Sequence, residues 1–210
     1  MSIGSTVRAS FGPYEPQISN LWRSIFIDVP AWTATVCKWA PDARRILEVG
    51  CGEGYSTARL VDAFPDRHID AIDIGDHLGR LYDGPADRAS FRKVPVQDVA
   101  QESPGHYDLV ILSDVIHHVP PADRKSLLQG VRDAMAHDGV LAFKDWHRSR
   151  APIHFAVHAS DRWLTGDRVS YLRRDEARDL ISSVFGTDSI TAEASIRPWK
   201  SNFAFRVCRA

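Results

Sequence analysis

The sequence predicts an α/β fold with a doubly wound, mostly parallel sheet of seven strands. The first observation is a glycine turn, in which the apolar run 46–49 passes into glycines at positions 50, 52 and 54 and then into a segment with helical spacing of apolar residues. The second is the continuous apolar run 109–112, which is typical of a parallel strand buried on both faces. The third is a pair of strand-like segments at 189–196 and 203–207, which predicts a closing hairpin.

The other predicted elements alternate between strand and helix, as a Rossmann-like sheet requires. Strands are predicted at 68–74, 91–96, 107–114 and 140–143, and helices at 55–64, 152–164 and 175–185. A further helix is expected to begin at Pro121 and to end at Asp138 and Gly139. Pro30 divides the apolar stretch 21–39 into two short helices. We therefore expect an N-terminal arm and helical cap at 1–41 and one α/β domain at 42–210.

Composition places the chain in an ordinary class of globular protein. Its hydrophobic content of 44% and charged content of 25% are typical of soluble domains, and a net charge of −1 predicts no nucleic-acid partner. No apolar run is long enough to span a bilayer, and positions 1–10 lack the apolar centre of a secretory signal. Three cysteines without metal spacing indicate a reducing compartment. We expect a cytoplasmic monomer or homodimer with no membrane partner.

The glycine turn has a distinctive spacing. Its third glycine is Gly54, whereas the dinucleotide pattern G-x-G-x-x-G would place it at Tyr55. An acid, Glu48, precedes the turn inside an apolar strand, where it needs a polar or cationic partner. This pattern resembles motif I of the class I S-adenosylmethionine-dependent methyltransferases, and the resemblance extends over about 42–210. It implies S-adenosylmethionine as the cofactor, with the turn around its methionine part and Glu48 facing its amino-acid end. The residues expected to bind it here are Glu48, Gly50, Cys51, Gly52 and Gly54.

Two acids further along the chain complete the expected cofactor site. Asp73 ends the second predicted strand, where a carboxylate suits the ribose hydroxyls, although a loop or capping role is the alternative. By the resemblance, Asp98 meets the adenine amino group. Asp98 and Gln101 also form a capping-box pattern, and that alternative is open. The full set of additional cofactor-binding residues expected is Asp73, Ile74, Gln97, Asp98, Val99 and Ser113.

The loop after the fourth strand supplies candidate catalytic residues. Residues 115–119 resemble a loop common in small-molecule and lipid methyltransferases. His118 is the first candidate for a general base and His117 the second, because a neutral histidine accepts a proton near working pH. The alternative is that these histidines only hold the loop or contact the cofactor.

The expected acceptor is a small hydrophobic or aromatic metabolite with a hydroxyl group or an acidic carbon. The family's Asn/Asp-Pro-Pro-Tyr/Phe motif for planar amino groups is absent, and Ser113-Asp114-Val115-Ile116 stands in its place. Aromatic residues, most of them after the fifth strand, favour an apolar or aromatic-lined pocket. The histidines after that strand could line the pocket, and one of them is an alternative base. The residues expected to contact the acceptor are Tyr14, Trp146, His147, His154, Phe155 and His158.

No metal is expected. In methyltransferases of the catechol type, acids at the ends of strands four and five bind magnesium. By that resemblance Ser113 and Trp146 stand where ligands are needed, and only Asp145 fits. The alternatives for function are a methyltransferase acting on an amine or a macromolecule, a non-catalytic cofactor-binding scaffold, and a nicotinamide-dinucleotide oxidoreductase.

Overall fold

The computed structural model of the protein describes residues 27–148 and 169–209, which form five helices and seven strands. The helices are α1 (Val29–Trp39), α2 (Tyr55–Ala63), α3 (Val96–Glu102), α4 (Arg124–Ala134) and α5 (Arg174–Phe185). The strands are β1 (Ile46–Val49), β2 (Ile69–Asp73), β3 (Ala89–Lys93), β4 (Tyr107–Ser113), β5 (Met135–Trp146), β6 (Ile190–Ser195) and β7 (Asn202–Cys208). The helix predicted at 152–164 lies outside the described residues, as do the acceptor-site candidates Tyr14, His154, Phe155 and His158.

The seven strands form one sheet in the order β3-β2-β1-β4-β5-β7-β6. Strands β1 to β5 run parallel, and β7 lies antiparallel between β5 and β6. The predicted seven-stranded sheet and its closing hairpin are therefore confirmed. The strand order reverses between β1 and β4, and ligands of open α/β sheets bind beyond the carboxyl ends of the strands at such a point.

The central strands are mostly apolar because helices cover both faces of the sheet. All four residues of β1 are buried, and so is the run 109–112 in β4. Helices α3, α4 and α5 pack on one face through residues such as Leu128 and Ile181. Helices α1 and α2 pack on the other face through residues such as Trp32 and Leu60.

The region around β3 and α3 differs from the prediction. The strand is displaced toward the N-terminus from the predicted range 91–96, and α3 already begins at Val96, directly after the extended residue Pro95. Asp98 is therefore the third residue of the helix. A capping residue stands before the first helical residue, so the capping-box prediction for Asp98 and Gln101 is wrong.

Helix α4 is shorter at both ends than predicted. It begins three residues after Pro121, and Met135 already pairs with Tyr107 as the first residue of β5. The pairing of β4 with β5 then shifts register, and Asp138 and Gly139 lie in this irregular part of the strand. A Cβ atom on Gly139 would come within 2.9 Å of the Tyr107 carbonyl oxygen. Glycine at this position therefore permits the close approach of two strands and does not end the helix.

Helix α1 joins the predicted cap to the sheet. Pro30 lies in its first turn, and the Asp28 carboxylate accepts a hydrogen bond from the Ala31 N–H at 2.9 Å. Its residues Trp32 and Val36 belong to the same core cluster as the central strands. The boundary between cap and domain at position 41 stays a prediction. Within the described ranges no helix has the length and apolar character needed to cross a bilayer.

Candidate active site

The glycine turn after β1 leaves its backbone open to a ligand. The φ angles are 78° at Gly50, 52° at Gly52 and 86° at Gly54, a region that favours glycine. The N–H groups of Gly50 and Cys51 both donate to the Ile72 carbonyl, at 2.8 and 3.1 Å, which ties the turn to β2. Apart from Gly52 and its two neighbours in the chain, no heavy atom of the described residues lies within 4 Å of the place where a Cβ atom on Gly52 would stand. A cofactor can therefore approach the main chain at Gly52.

Gly50 is the point where the turn meets the β4 loop, which we define as residues 114–120. A Cβ atom on Gly50 would lie 2.2 Å from Cγ2 of Val115. The turn and the β4 loop therefore pack directly against each other at the carboxyl edge of the sheet. Cys51 is buried, and burial raises the pKa of its thiol, so its main chain rather than a thiolate is suited to cofactor binding.

Glu48 is a buried acid held by two hydroxyl groups. Ser56 Oγ and Thr57 Oγ1, in the first turn of α2, donate to its two carboxylate oxygens at 2.5 Å each. Burial raises the pKa of Glu48, and the two hydroxyl hydrogen bonds partly oppose that rise. The sequence indicated that Glu48 needs polar partners, but it did not identify Ser56 and Thr57 as those partners. Contact of Glu48 with the cofactor stays a prediction.

Asp73 connects the glycine turn to the end of β2. Its carboxylate accepts one hydrogen bond from the Gly52 N–H at 2.8 Å and one from the Gly75 N–H at 2.7 Å. The adjacent Ile74 is a large apolar side chain with 74% of its surface exposed. An anchored carboxylate beside an exposed apolar side chain provides a polar and an apolar contact for one ligand.

The three candidates in α3 occupy different environments. Asp98 is exposed in the first turn of the helix, while Val99 is buried in the core. The Gln97 side-chain amide donates to Ser126 Oγ at 3.3 Å, which directs it toward α4. A direct adenine contact therefore suits Asp98 better than its two neighbours, and all three roles stay predictions.

The chain turns sharply where β4 ends. Asp114 has a φ of 58°, and in the described ranges it is the one non-glycine residue with a positive φ. This conformation costs an L-residue about 1–2 kcal/mol. The Asp114 N–H donates to the Lys144 carbonyl at 3.0 Å, and the fully buried Lys144 ammonium donates to both Asp114 carboxylate oxygens at 2.7 and 2.5 Å. The hydroxyl of Ser113, an expected cofactor contact, lies 3.4 Å from the same carboxylate.

A buried histidine–aspartate pair lies beyond this turn. Nδ1 of His117 is 2.6 Å from Oδ1 of Asp145, and the two side chains are 4% and 2% exposed. The His117 N–H donates to Oδ2 of Asp145 at 3.3 Å, and the Trp146 N–H donates to Oδ1 at 2.6 Å. The Tyr171 ring stacks on the imidazole of His117 with 4.7 Å between centroids. These contacts fix the position and orientation of the His117 ring.

His118, the first candidate for the base, is exposed, and its ring centroid lies 4.2 Å from that of His117. Its main-chain N–H donates to the Val115 carbonyl at 2.9 Å, which closes the first turn of the loop. The buried carboxylate of Asp145 is therefore paired with the second candidate, His117. The role of base stays a prediction for both histidines.

Arg124 connects the β4 loop to the segment that leads into α5. Its guanidinium donates to the Val119 carbonyl at 3.0 Å and also to the Ser170 carbonyl. The Ser170 N–H in turn donates to the His117 carbonyl at 2.8 Å. Arg124 is only 4% exposed, and burial lowers its pKa, although an arginine stays charged in proteins.

Two acceptor-site candidates follow at the end of β5. Trp146 is buried against Tyr171 and Val169. His147 is half-buried, its N–H donates to the Ser201 carbonyl at 2.8 Å, and its pKa is lowered by burial and by the charge of Arg174. The Trp146 ring therefore contributes to packing beneath the site, and contact of either residue with an acceptor stays a prediction.

The roles of the charged residues on β5 were not apparent from the sequence. Asp145 was a candidate only for a magnesium ligand, and Lys144 for no role. The available signal was a pair of adjacent opposite charges ending an apolar strand, whereas Arg124 and Tyr171 had no comparable signal. In the two described ranges, no three His, Cys, Asp or Glu residues are grouped so that they could hold a metal ion. The absence of a metal stays a prediction.

Comparison with known proteins agrees with this geometry. Residues 47–141 match the sequence model of a family described as a methyltransferase domain. The chain carries a methyltransferase domain. The matched part of this domain runs from β1 into β5, so it includes the glycine turn, Asp73 and the β4 loop. The family suggested by the glycine spacing is therefore confirmed.

The matches to individual relatives cover only part of each relative's length. The ubiquinone biosynthesis O-methyltransferase of Bordetella avium is 29% identical over 118 residues, which are 54% of this chain and 47% of that protein. The chain thus spans about half the length of this relative.

Solved structures share the fold of the methyltransferase domain. The 1,6-didemethyltoxoflavin N1-methyltransferase of Burkholderia thailandensis has a TM-score of 0.67 and 12% identity, over 98% of this chain and 88% of its own. The mitomycin 7-O-methyltransferase has a TM-score of 0.70 and 17% identity, over 100% of this chain and 61% of its own. At these identities the likeness establishes the fold alone.

Proposed function

We propose that the protein transfers the methyl group of S-adenosylmethionine to a hydroxyl group or an acidic carbon of a small hydrophobic or aromatic acceptor. The observation that carries the proposal is the hydrogen bond between His117, in the β4 loop, and Asp145, in β5. The same loop packs against the glycine turn through Val115. Methyl transfer to an acidic group needs a proton acceptor held close to the cofactor. The β4 loop joins these two parts.

We use the word crevice for the region beyond the carboxyl ends of β1, β2, β4 and β5. Its cofactor side, at β1 and β2, has groups suited to S-adenosylmethionine. The open backbone at Gly52 provides room for its methionine part, and Asp73 retains acceptor capacity for ribose hydroxyls because each oxygen has a second lone pair. Ile74 offers an apolar surface for the adenine, and Asp98 a carboxylate for its amino group. When bound, the cofactor supplies a methyl group on a positively charged sulfur.

His117 acts as the base in this proposal, and His118 is the second candidate. In the proposed tautomer the Nδ1–H of His117 donates a hydrogen bond to the Asp145 carboxylate, so the neutral ring has its basic lone pair on Nε2. The ring takes the proton from the acceptor at Nε2, and the Asp145 carboxylate stabilises the imidazolium that forms. The fixed ring orientation restricts the acceptor to one approach.

The names of related proteins support a small-molecule acceptor. The Bordetella relative is named for O-methylation in ubiquinone biosynthesis, and the two structural neighbours are named for a toxoflavin precursor and for mitomycin. These acceptors are small molecules, in agreement with the lack of a nucleobase motif in this chain. The compartment and the oligomeric state stay predictions.

Transfer of label from methyl-labelled S-adenosylmethionine into an extract of the source organism tests this proposal. The extract is separated into small molecules, protein and nucleic acid, and the Asp73→Ala variant serves as the control. Label in the small-molecule fraction that falls with the variant at a sub-saturating cofactor concentration supports the proposal. Label in protein or nucleic acid contradicts the acceptor class. If no fraction is labelled, calorimetry with S-adenosylhomocysteine follows: binding favours a non-catalytic scaffold, and no binding contradicts the cofactor.

A further inference from the structure

Lys144 is an unusual residue for its position. It ends the central parallel part of β5, pairs in register with Ser113 of β4, and its side chain is 0% exposed. An ammonium group is expensive to bury unless a negative group compensates it. Its partner Asp114 is 34% exposed, so the pair extends from the core to the crevice.

Lys144 holds Asp114 through both its main chain and its side chain. Its carbonyl accepts the Asp114 N–H, and its ammonium contacts both carboxylate oxygens. Asp114 has the left-handed φ that turns the chain out of β4. Such a conformation persists where its surroundings determine it strongly. Lys144 therefore stabilises the turn from which the β4 loop begins.

The direction of this turn determines two contacts of the loop. Val115 lies against the glycine turn at Gly50, and His117 reaches Asp145. Lys144 and Asp145 are adjacent in β5, so they point to opposite faces of the sheet. One holds the beginning of the loop and the other holds its histidine.

We propose that Lys144 is a positioning residue for methyl transfer, and that through its ion pair with Asp114 it holds the β4 loop against both the glycine turn and Asp145. The inference rests on the proposed function for its catalytic consequence. The placement of the loop itself does not depend on that function. Removal of the ammonium releases the loop, displaces the His117 ring and loosens the contact of Val115 with the turn.

The test compares three variants. Lys144→Met removes the ammonium and retains an unbranched apolar side chain. Lys144→Met/Asp114→Asn also removes the carboxylate that would be left without its counter-ion. Arg45→Met is the matched control, because Arg45 forms an ion pair with Asp108 at the other end of β4. Each variant is first checked for a cooperative thermal transition above the assay temperature.

The first readout is the proton NMR signal of the hydrogen bond from His117 Nδ1 to Asp145, assigned by its loss in His117→Gln. We expect the signal to shift or broaden in Lys144→Met and in the double variant, and to stay unchanged in Arg45→Met. The second readout is kcat, which should fall about 10²-fold in the double variant, as a displaced reacting group predicts. A merely structural ion pair would leave both unchanged in a double variant with wild-type thermal stability.

The two proposals fail in different ways. If the His117 signal depends on Lys144 but the wild-type protein transfers no methyl group, the proposed function is wrong and the positioning role stands. If the double variant retains the wild-type His117 signal and kcat, Lys144 does not position the loop. If the protein has activity and only the control variant loses it, the inference is also overturned.

Discussion

The two sides of the crevice are built from different kinds of contact. On the proposed cofactor side, formed by β1 and β2, backbone groups make most of the contacts, such as the Gly52 N–H to Asp73. On the acceptor side, formed by β4 and β5, buried charged side chains pair with each other, as Lys144 does with Asp114. The first side depends on main-chain conformation, and the second depends on charge and on the orientation of single side chains.

Because of this difference, we expect cofactor binding and catalytic turnover to depend on different parts of the molecule. A backbone turn binds any ligand with the right shape and depends on glycine at a few positions. A side-chain pair such as His117 and Asp145 fixes the orientation of a single ring. Changes on the acceptor side should therefore alter turnover, and changes on the cofactor side should alter folding and cofactor affinity.

The largest expected effect is confined to the acceptor side. His117→Ala should lower kcat by about 10²–10⁴-fold, the usual contribution of a general base. Calorimetry with S-adenosylhomocysteine should find its affinity unchanged, because His117 is not among the proposed cofactor contacts.

His118→Ala is the matched control for this prediction. It removes the neighbouring, exposed imidazole and leaves the hydrogen bond to Asp145 in place, so its kcat should stay close to that of the wild type. A larger loss for His118→Ala than for His117→Ala would return the role of base to His118. Equal losses of kcat and cofactor affinity would make His117 a binding residue.

The next effect concerns the contact between the two sides. Gly50→Ala should lower the free energy of unfolding by about 2–4 kcal/mol, because the new methyl group meets Val115 and because φ is positive. Urea titration measures this change. Val115→Ala should offset part of the loss when combined with Gly50→Ala, since it removes the atom that the new Cβ would meet. Strictly additive effects would contradict a direct contact.

The sequence predicted the cofactor side better than the acceptor side, for a physical reason. Main-chain turns need particular residues at fixed spacing, so the three glycines and Asp73 were apparent, and the sheet followed from its apolar runs. The β3 and α4 boundaries were misplaced because proline and glycine also occur in bulges and extended segments. The pairs on the acceptor side join residues 28 and 30 positions apart, and their partners are set only by strand register.

A smaller effect is expected from the acid on the cofactor side. Asp73→Ala should weaken binding of S-adenosylhomocysteine by about 1–3 kcal/mol, the cost of leaving polar partners unsatisfied. Calorimetry measures the loss. Asp76→Ala is the matched control, because Asp76 is close in sequence and pairs with Lys93 at an exposed site. Equal affinity for wild type and Asp73→Ala would remove Asp73 from the cofactor site.

The smallest expected effect is a change of stability with pH that is caused by Glu48, the one acid in β1. Burial raises the pKa of Glu48 above its unfolded value, so the folded state holds the proton more tightly. This stabilisation is complete below the unfolded pKa and is lost as the pH rises through the folded pKa. The melting temperature of Glu48→Gln, relative to wild type, should therefore rise as the pH is raised above the ordinary glutamate pKa of about 4. A constant difference would mean that the Ser56 and Thr57 hydroxyls fully compensate the buried charge, and that even this acid behaves like the uncharged backbone contacts around it.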